Sequence, residues 1–284
     1  MRKLLIIIFL IFLCTKVYSQ NYALANDYTP VLNTYDFFLV FGGNDGASVK
    51  LDNRGLIGEM EFIAFPGTMF KILEVVVFDD RNLKYYKVKT DDYQYKGNFY
   101  IDSRFVNTCD EMPNGRIVEK PNQTDVVKFI KSLIGYPYMW GGNYADGIYT
   151  MLDMYKPKSE IDTRTKNLWI LKGVDCSGLL YQSTAGYTPR NTSSLLNYGE
   201  AVNIEDKTLE EILPLLKPLD LIVIKGHVVI VLDDNTAIES SPDTGVHTSQ
   251  LKSRLSRIME GHKPVNEFGK RMWKNKEFVV RRWI

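Results

Sequence analysis

The stretch Gly173-Val174-Asp175-Cys176-Ser177-Gly178-Leu179-Leu180 constrains this chain more than any other. A cysteine stands between an acid and a small polar residue, directly ahead of an apolar run that can open a helix. A cysteine in the first turn of a helix lies at the positive end of the macrodipole. Backbone N–H groups without intrahelical partners point at its sulfur, which favours thiolate over thiol. A thiolate nucleophile needs a base, and the base needs an orienting acceptor. The fold therefore has to bring both to the start of that helix.

The chain has three histidines, His227, His247 and His262. His227 begins the β-branched run His227-Val228-Val229-Ile230-Val231-Leu232, and a strand fixes a side chain more rigidly than a loop. His247 and His262 lie in polar, loop-like surroundings and read as surface residues. Strand parity then points to the acceptor. Leu219 to Ile224, Val228 to Leu232 and Thr236 to Ser240 read as three successive strands. If Asp233-Asp234-Asn235 is a three-residue connection, Val229 stands opposite Glu239 and His227 lies on the same face, one diagonal away. One residue of slip would put Glu239 on the other face. The expected site is Cys176 as nucleophile, His227 as base and Glu239 as orienter.

Residues 31–110 read as β-rich. Phe37 to Phe41, Thr68 to Phe78, Tyr85 to Val88 and Asn98 to Val106 are dense in β-branched and aromatic residues. Gly42-Gly43-Asn44-Asp45-Gly46, Asp79-Asp80-Arg81-Asn82 and Asp91-Asp92 punctuate them, a pattern that fits a small barrel or sandwich. Pro113-Asn114-Gly115 reads as a linker. Beyond it, Val126, Ile130, Leu133 and Ile134 recur at helical spacing, with Thr124 as cap and Gly135 as stop. Leu209 to Leu216 reads as a short helix and Phe278 to Ile284 as a closing strand.

Residues 1–19 carry the marks of an export signal: Arg2 and Lys3, an apolar run from Leu4 to Leu13, and Val17-Tyr18-Ser19 at the expected cleavage point. The run is short for a bilayer span. Cys14 does not read as a lipid anchor, because Leu13 before it is bulky. The expected product is secreted, to the periplasm or cell wall, with no integral membrane segment after cleavage. Loss of Arg2, Lys3 and Lys16 leaves 32 basic against 34 acidic residues. That balance lacks the basic footprint of a nucleic-acid binder. No metal-ligand spacing occurs, so neither a metal nor another cofactor is expected. Of the two cysteines beyond the signal, Cys109 reads as an idle thiol rather than a disulfide partner of Cys176. Lys270, Arg271, Lys274 and Lys276 form a basic cluster that reads as a solvated face.

The order Tyr138-Met139-Trp140-Gly141-Gly142, then Asp175-Cys176-Ser177-Gly178, then His227 on a strand, then Ala237-Ile238-Glu239-Ser240-Ser241, resembles the NlpC/P60 family of papain-like cysteine peptidases. The likeness spans roughly residues 122–284, the scale of one domain. Tyr85-Tyr86-Lys87-Val88-Lys89, Gly97 to Ile101 and Arg104-Phe105-Val106 are similar to the closing strands of bacterial SH3-like domains. The resemblance implies an α+β chain. A small all-β SH3-like barrel over 20–115 would precede a papain-like domain over 116–284, with helices packed on an antiparallel sheet. It implies Tyr138 beside the nucleophile near the oxyanion, and Asp175 and Ser177 facing the substrate, the acid receiving a free amine. The implied activity is hydrolysis of peptidoglycan stem peptides between γ-D-glutamate and a diamino acid. An amidase or acyltransferase acting on another amide or ester, and a catalytically idle wall-binding protein, are the alternative readings.

Two features depart from the family pattern. Its third catalytic position is more often histidine, whereas here it is Glu239, which can hold an imidazolium as the acid of other triads does. The spacer from Asn143 to Val174 is also long. Its Tyr149, Met151, Leu152, Met154, Tyr155 and Trp169 either cap the cleft or pack as an excursion on the back of the domain.

Overall fold

A computed structural model describes residues 21–78, 83–270 and 276–284. The export signal expected at 1–19, the turn at 79–82, and Arg271 and Lys274 of the basic cluster lie outside the described residues. Among the described residues no helix is long and apolar enough to cross a membrane.

The first half forms a sheet of β1 (Tyr22–Ala25), β2 (Thr29–Leu32), β3 (Met60–Ala64), β4 (Met69–Phe78), β5 (Leu83–Lys89), β6 (Phe99–Asp102) and β7 (Val106–Cys109). The order is β3-β2-β6-β5-β4-β1-β7, with antiparallel pairings throughout. The expected barrel is not there: among the described residues no pairing of β3 with β7 closes the sheet. Part of the reason lies in β3. Its backbone at Ile63 is already taken by a side chain, since Ile63 N–H donates to Asn143 Oδ1 (2.9 Å) and Asn143 Nδ2 donates to the Ile63 carbonyl (2.7 Å). A side-chain amide here stands in for a neighbouring strand and blunts the edge. Of Phe37 to Phe41, only Phe41 lies in a strand, Phe41–Gly42. Phe37–Val40 makes one helical turn because Asp36 accepts from Leu39 N–H at its start, a local bond that outweighs the β preference of the side chains.

The second half is built on β8 (Glu200–Ala201), β9 (Leu221–Ile224), β10 (His227–Val231), β11 (Thr236–Ser241), β12 (Gly245–Gln250) and β13 (Glu277–Arg282). Their order is β8-β13-β9-β10-β11-β12, all antiparallel, with Lys263–Pro264 added in parallel beside β13. Leu221, Val223, Val228, Ile230 and Ile238 meet α4 (Cys176–Ser183) on one face, while Ile222, Val229, Val231 and Ala237 meet α5 (Leu251–Gly261) on the other. Burial on both faces explains why these strands read as unbroken apolar runs. Three further helices complete the elements used below: α1 (Gln123–Ser132), α2 (Met151–Met154) and α3 (Thr163–Trp169).

The aromatic and apolar residues of the long spacer neither cap the cleft nor lie as an excursion on the back of the domain, although its Arg164, Asn167 and Lys172 border a cavity beside the cleft. Ile148, Met151, Tyr155, Trp169 and Leu171 join the same buried cluster as the strands of the first half. Trp169 Nε1 donates to the Tyr155 carbonyl (2.9 Å), and the Tyr155 hydroxyl donates to buried Asp102 of β6. Arg104 clamps the same carboxylate and donates to the Met154 carbonyl (3.1 Å). The spacer is thus a wedge built into the core of the first half, while the second-half sheet keeps clusters of its own, and only Tyr149 of the six residues stands mostly in solvent.

Candidate active site

Cys176 is the first residue of α4 and is 6% exposed. Two glycines set how deep it sits. A Cβ at Gly178 would lie 1.9 Å from the Gly142 carbonyl oxygen, so only glycine lets this helix rest on the Gly141-Gly142 turn. Gly141 itself has a φ of +70° and runs against the backbone of Met60, so the turn requires glycine twice over. Ser240 on β11 donates to the Val174 carbonyl (2.7 Å), fixing the approach to the helix from the sheet side.

The hairpin has the parity that the site requires. Ile230 pairs with Ile238 and Val231 with Ala237, which sets Val229 level with Glu239. His227 Nε2 then stands 2.6 Å from Glu239 Oε2, leaving Nδ1 as the ring nitrogen available to Cys176. Burial lowers the imidazole's affinity for a proton, but the bonds to Cys176 and Glu239, and their charges, reverse this and lift it to about 9. Burial likewise raises Glu239, and the bonds to His227 and Arg254 overcome it and hold the carboxyl at about 2. The pair is therefore organised as imidazolium and carboxylate.

Arg254 was not visible as part of this arrangement from the sequence. It sits in α5, in a segment that carries no motif, and donates from Nε to Glu239 Oε1 (2.5 Å) and from Nη2 to Oε2 (2.9 Å). Both carboxylate oxygens are thus fixed from behind. His247 is also placed differently from the loop position expected. It lies on β12 directly across from Glu239, with Nε2 4.0 Å from Oε1.

Asp175 is the N-cap of α4, and its oxygens are fully engaged. Oδ1 accepts from Ser177 Oγ, Gly178 N–H and Arg190 Nη1, while Oδ2 accepts from Gly141 N–H and Arg190 Nη2. Arg190 is buried, and its other bonds reach Asn143 Oδ1 (2.9 Å), Ser177 Oγ (3.0 Å) and the Gly142 carbonyl (3.1 Å). Burial lowers the guanidinium and the facing Asp175 charge more than restores it, so the proton stays. Asp175 and Ser177 therefore line the hollow in front of Cys176 but spend their polar atoms on the chain itself. The expected amine receptor is already neutralised. Arg190 left no periodic or motif signal in Tyr187-Thr188-Pro189-Arg190-Asn191 that singles it out.

That hollow has a volume of about 400 Å³, and Tyr138, Trp140, Glu61, Tyr93 and Tyr95 also line it. Burial raises the Tyr138 hydroxyl's pKa, reinforced by the charges of Asp175 and Cys176, so it stays a proton donor. Burial raises Glu61 too, against bonds from Asn33 and Tyr93. Among the described residues no cationic side chain lies within 4 Å of the Glu61 carboxylate. Alternation in Met60-Glu61-Phe62-Ile63 separates Glu61 from the core side, but nothing local says that its face borders a second unit.

Cys109 and Cys176 are both free thiols, and Cys109 lies at the end of β7. Among the described residues no three His, Cys, Asp or Glu side chains gather as a metal site would need.

No protein-family model matches the chain, and no curated protein matches it in sequence. Among solved structures it is similar to a NlpC/P60 family protein from Bacillus cereus, at 16% identity and a TM-score of 0.34. That match covers 93% of this chain but only 63% of the other. It is also similar to the P60 domain of an antigen from M. avium paratuberculosis, at 20% identity and a TM-score of 0.29, over 45% of this chain and 83% of that one. At that level of similarity neither neighbour specifies the chemistry of this chain.

Proposed function

We propose that the chain is an exported cysteine peptidase that cuts peptidoglycan stem peptides, at the bond between γ-D-glutamate and the diamino acid. The observation that carries the reading is the 2.6 Å contact of His227 with Glu239, together with a bond from the same ring to Cys176, the residue that opens the helix. Cys176 Sγ attacks the amide carbonyl carbon, and the Tyr138 hydroxyl donates towards the oxygen on which charge develops. His227 passes its proton to the leaving amine as the C–N bond breaks, and a thioester remains on Cys176. Water, deprotonated by His227, then adds to the thioester carbon, and the Cys176–acyl bond breaks to release the acid and restore the thiolate beside the imidazolium. Glu239, braced by Arg254, holds the ring and balances its charge.

The substrate class follows from the motif order together with the hollow. Glu61 presents a carboxylate where a short peptide's free amine would end, and the volume of about 400 Å³ suits a dipeptide rather than a long chain. Asp175 and Ser177 serve as the wall that holds Cys176 in place, through Arg190. The first half of the chain, by supplying Glu61 and Tyr93, shapes the cleft.

The test is digestion of L-Ala-γ-D-Glu-L-Lys-D-Ala, with mass spectrometry of the products. The expected product is the dipeptide L-Ala-D-Glu, absent with Cys176→Ala and much reduced when the substrate amine is acetylated. An intact stem peptide, alongside cleavage of an unrelated amide or ester, would instead identify the amidase or acyltransferase alternative.

A further inference from the structure

A second and larger cavity, of about 720 Å³, adjoins the hollow at Cys176. Tyr138 and Trp140 line both, so these two side chains form the wall that the cavities share. The far side of the larger cavity is built by the long spacer, through Arg164 and Asn167 of α3 and through Lys172. Its size falls within the range of ligand sites, about 300–1,000 Å³.

The charges lining it are unbalanced. Arg54, Arg164 and Lys172 face one acid, Asp243. Arg54 is already paired with Asp52 (2.7 Å) and lies over the Trp140 ring, 5.2 Å from its centroid. Among the described residues neither Arg164 nor Lys172 has a carboxylate within 4 Å, and Lys172 rests against the Tyr136 ring. Two cations without an ion pair, Arg164 sharing only the longer-range field of Asp162, in a cavity that borders a peptide-sized cleft call for an anionic group on the same ligand. Arg164 stands exposed on α3, and Lys172 is half-buried just beyond its end.

We propose that this cavity is a substrate subsite that takes a carboxylate-bearing segment of the peptide beyond the portion held at Cys176, with Arg164 and Lys172 as the charge partners and Trp140 as the wall. The inference rests on the peptidase reading but is measured without catalysis. The probe is L-Ala-γ-D-Glu-L-Lys-D-Ala, as the free acid and as the C-terminal carboxamide, titrated calorimetrically into the full chain carrying Cys176→Ala. The free acid binds about five- to tenfold tighter, as expected for two partly solvated ion pairs. The preference shrinks at about 0.5 M salt and disappears when Arg164→Gln and Lys172→Gln are added. Equal binding of the two forms, including no measurable binding of either, overturns the proposal, as does a preference that survives the double substitution. Failure of the peptidase reading shows separately, as a tetrapeptide left intact by the wild-type chain that still binds it with the acid preference.

Discussion

Replacing Glu239 by Gln keeps the volume and removes the charge. Lifting His227 from 6.5 to about 9 amounts to ~3 kcal/mol of preference for the charged ring. Cys176 and Glu239 supply that preference together, so loss of the carboxylate charge is expected to lower the ring from about 9 towards its ordinary 6.5 without taking it all the way. Geometry adds a second penalty. Arg254 donates to both oxygens, and Oε2 also faces His227. An amide has only one acceptor to offer, so one Arg254 N–H meets an N–H whichever way it sits, and His227 does too when the amide nitrogen takes the Oε2 position. The ring then loses the partner that fixes its orientation, and kcat/KM is expected to fall about 10²–10⁴-fold, by analogy with removal of the charge from the serine triad. Nitrogen-15 NMR of the imidazole reads the titration, and stem-peptide hydrolysis from acid to alkaline pH reads the rate. A Glu239→Gln chain whose His227 still titrates as in the wild type, with kcat/KM barely changed, would refute the assignment of Glu239 and Arg254.

Arg190→Met leaves the buried Asp175 carboxylate without its cation and is expected to cost ~3–5 kcal/mol in urea unfolding, more than an ordinary surface arginine. Trp169→Ala empties the wedge core and frees the Tyr155 carbonyl, and is expected to cost ~3–5 kcal/mol while the far-UV spectrum keeps its shape. The ionised pair also gives stability a pH signature. His227 is raised, so its contribution is full below 6.5 and drains as pH rises through about 9. Glu239 is depressed, so its contribution is full above 4.5 and drains as pH falls through about 2. Urea midpoints measured across pH are expected to lose the alkaline decline in His227→Gln, and an unchanged decline would count against the charged imidazole.

The sequence carried the helix opening at Cys176, the strand trio and the register that sets His227 beside Glu239, because each rests on local chemistry or on period-two parity. What it hid is non-local. Arg254 and Arg190 act by reaching carboxylates 15 residues away in sequence, and a charged side chain on a helix or loop looks the same whether it meets water or a buried acid. The wedge departs from both of its expected placements because Met151, Tyr155 and Trp169 have no apolar surface of their own to cover. They complete a core whose other half lies in strands far upstream. The open first sheet was hidden for a similar reason, since a single amide, Asn143, takes the edge that closure would have used.

The claim that Cys176 is the nucleophile of a stem-peptide hydrolase is tested most directly by its covalent intermediate. The full chain is mixed with L-Ala-γ-D-Glu-L-Lys-D-Ala, quenched in acid within the first turnover, and weighed intact before peptide mapping. The account predicts an L-Ala-γ-D-Glu acyl adduct on Cys176 and none on Cys109. Products formed without any adduct, or formed equally well by Cys176→Ala, would contradict it.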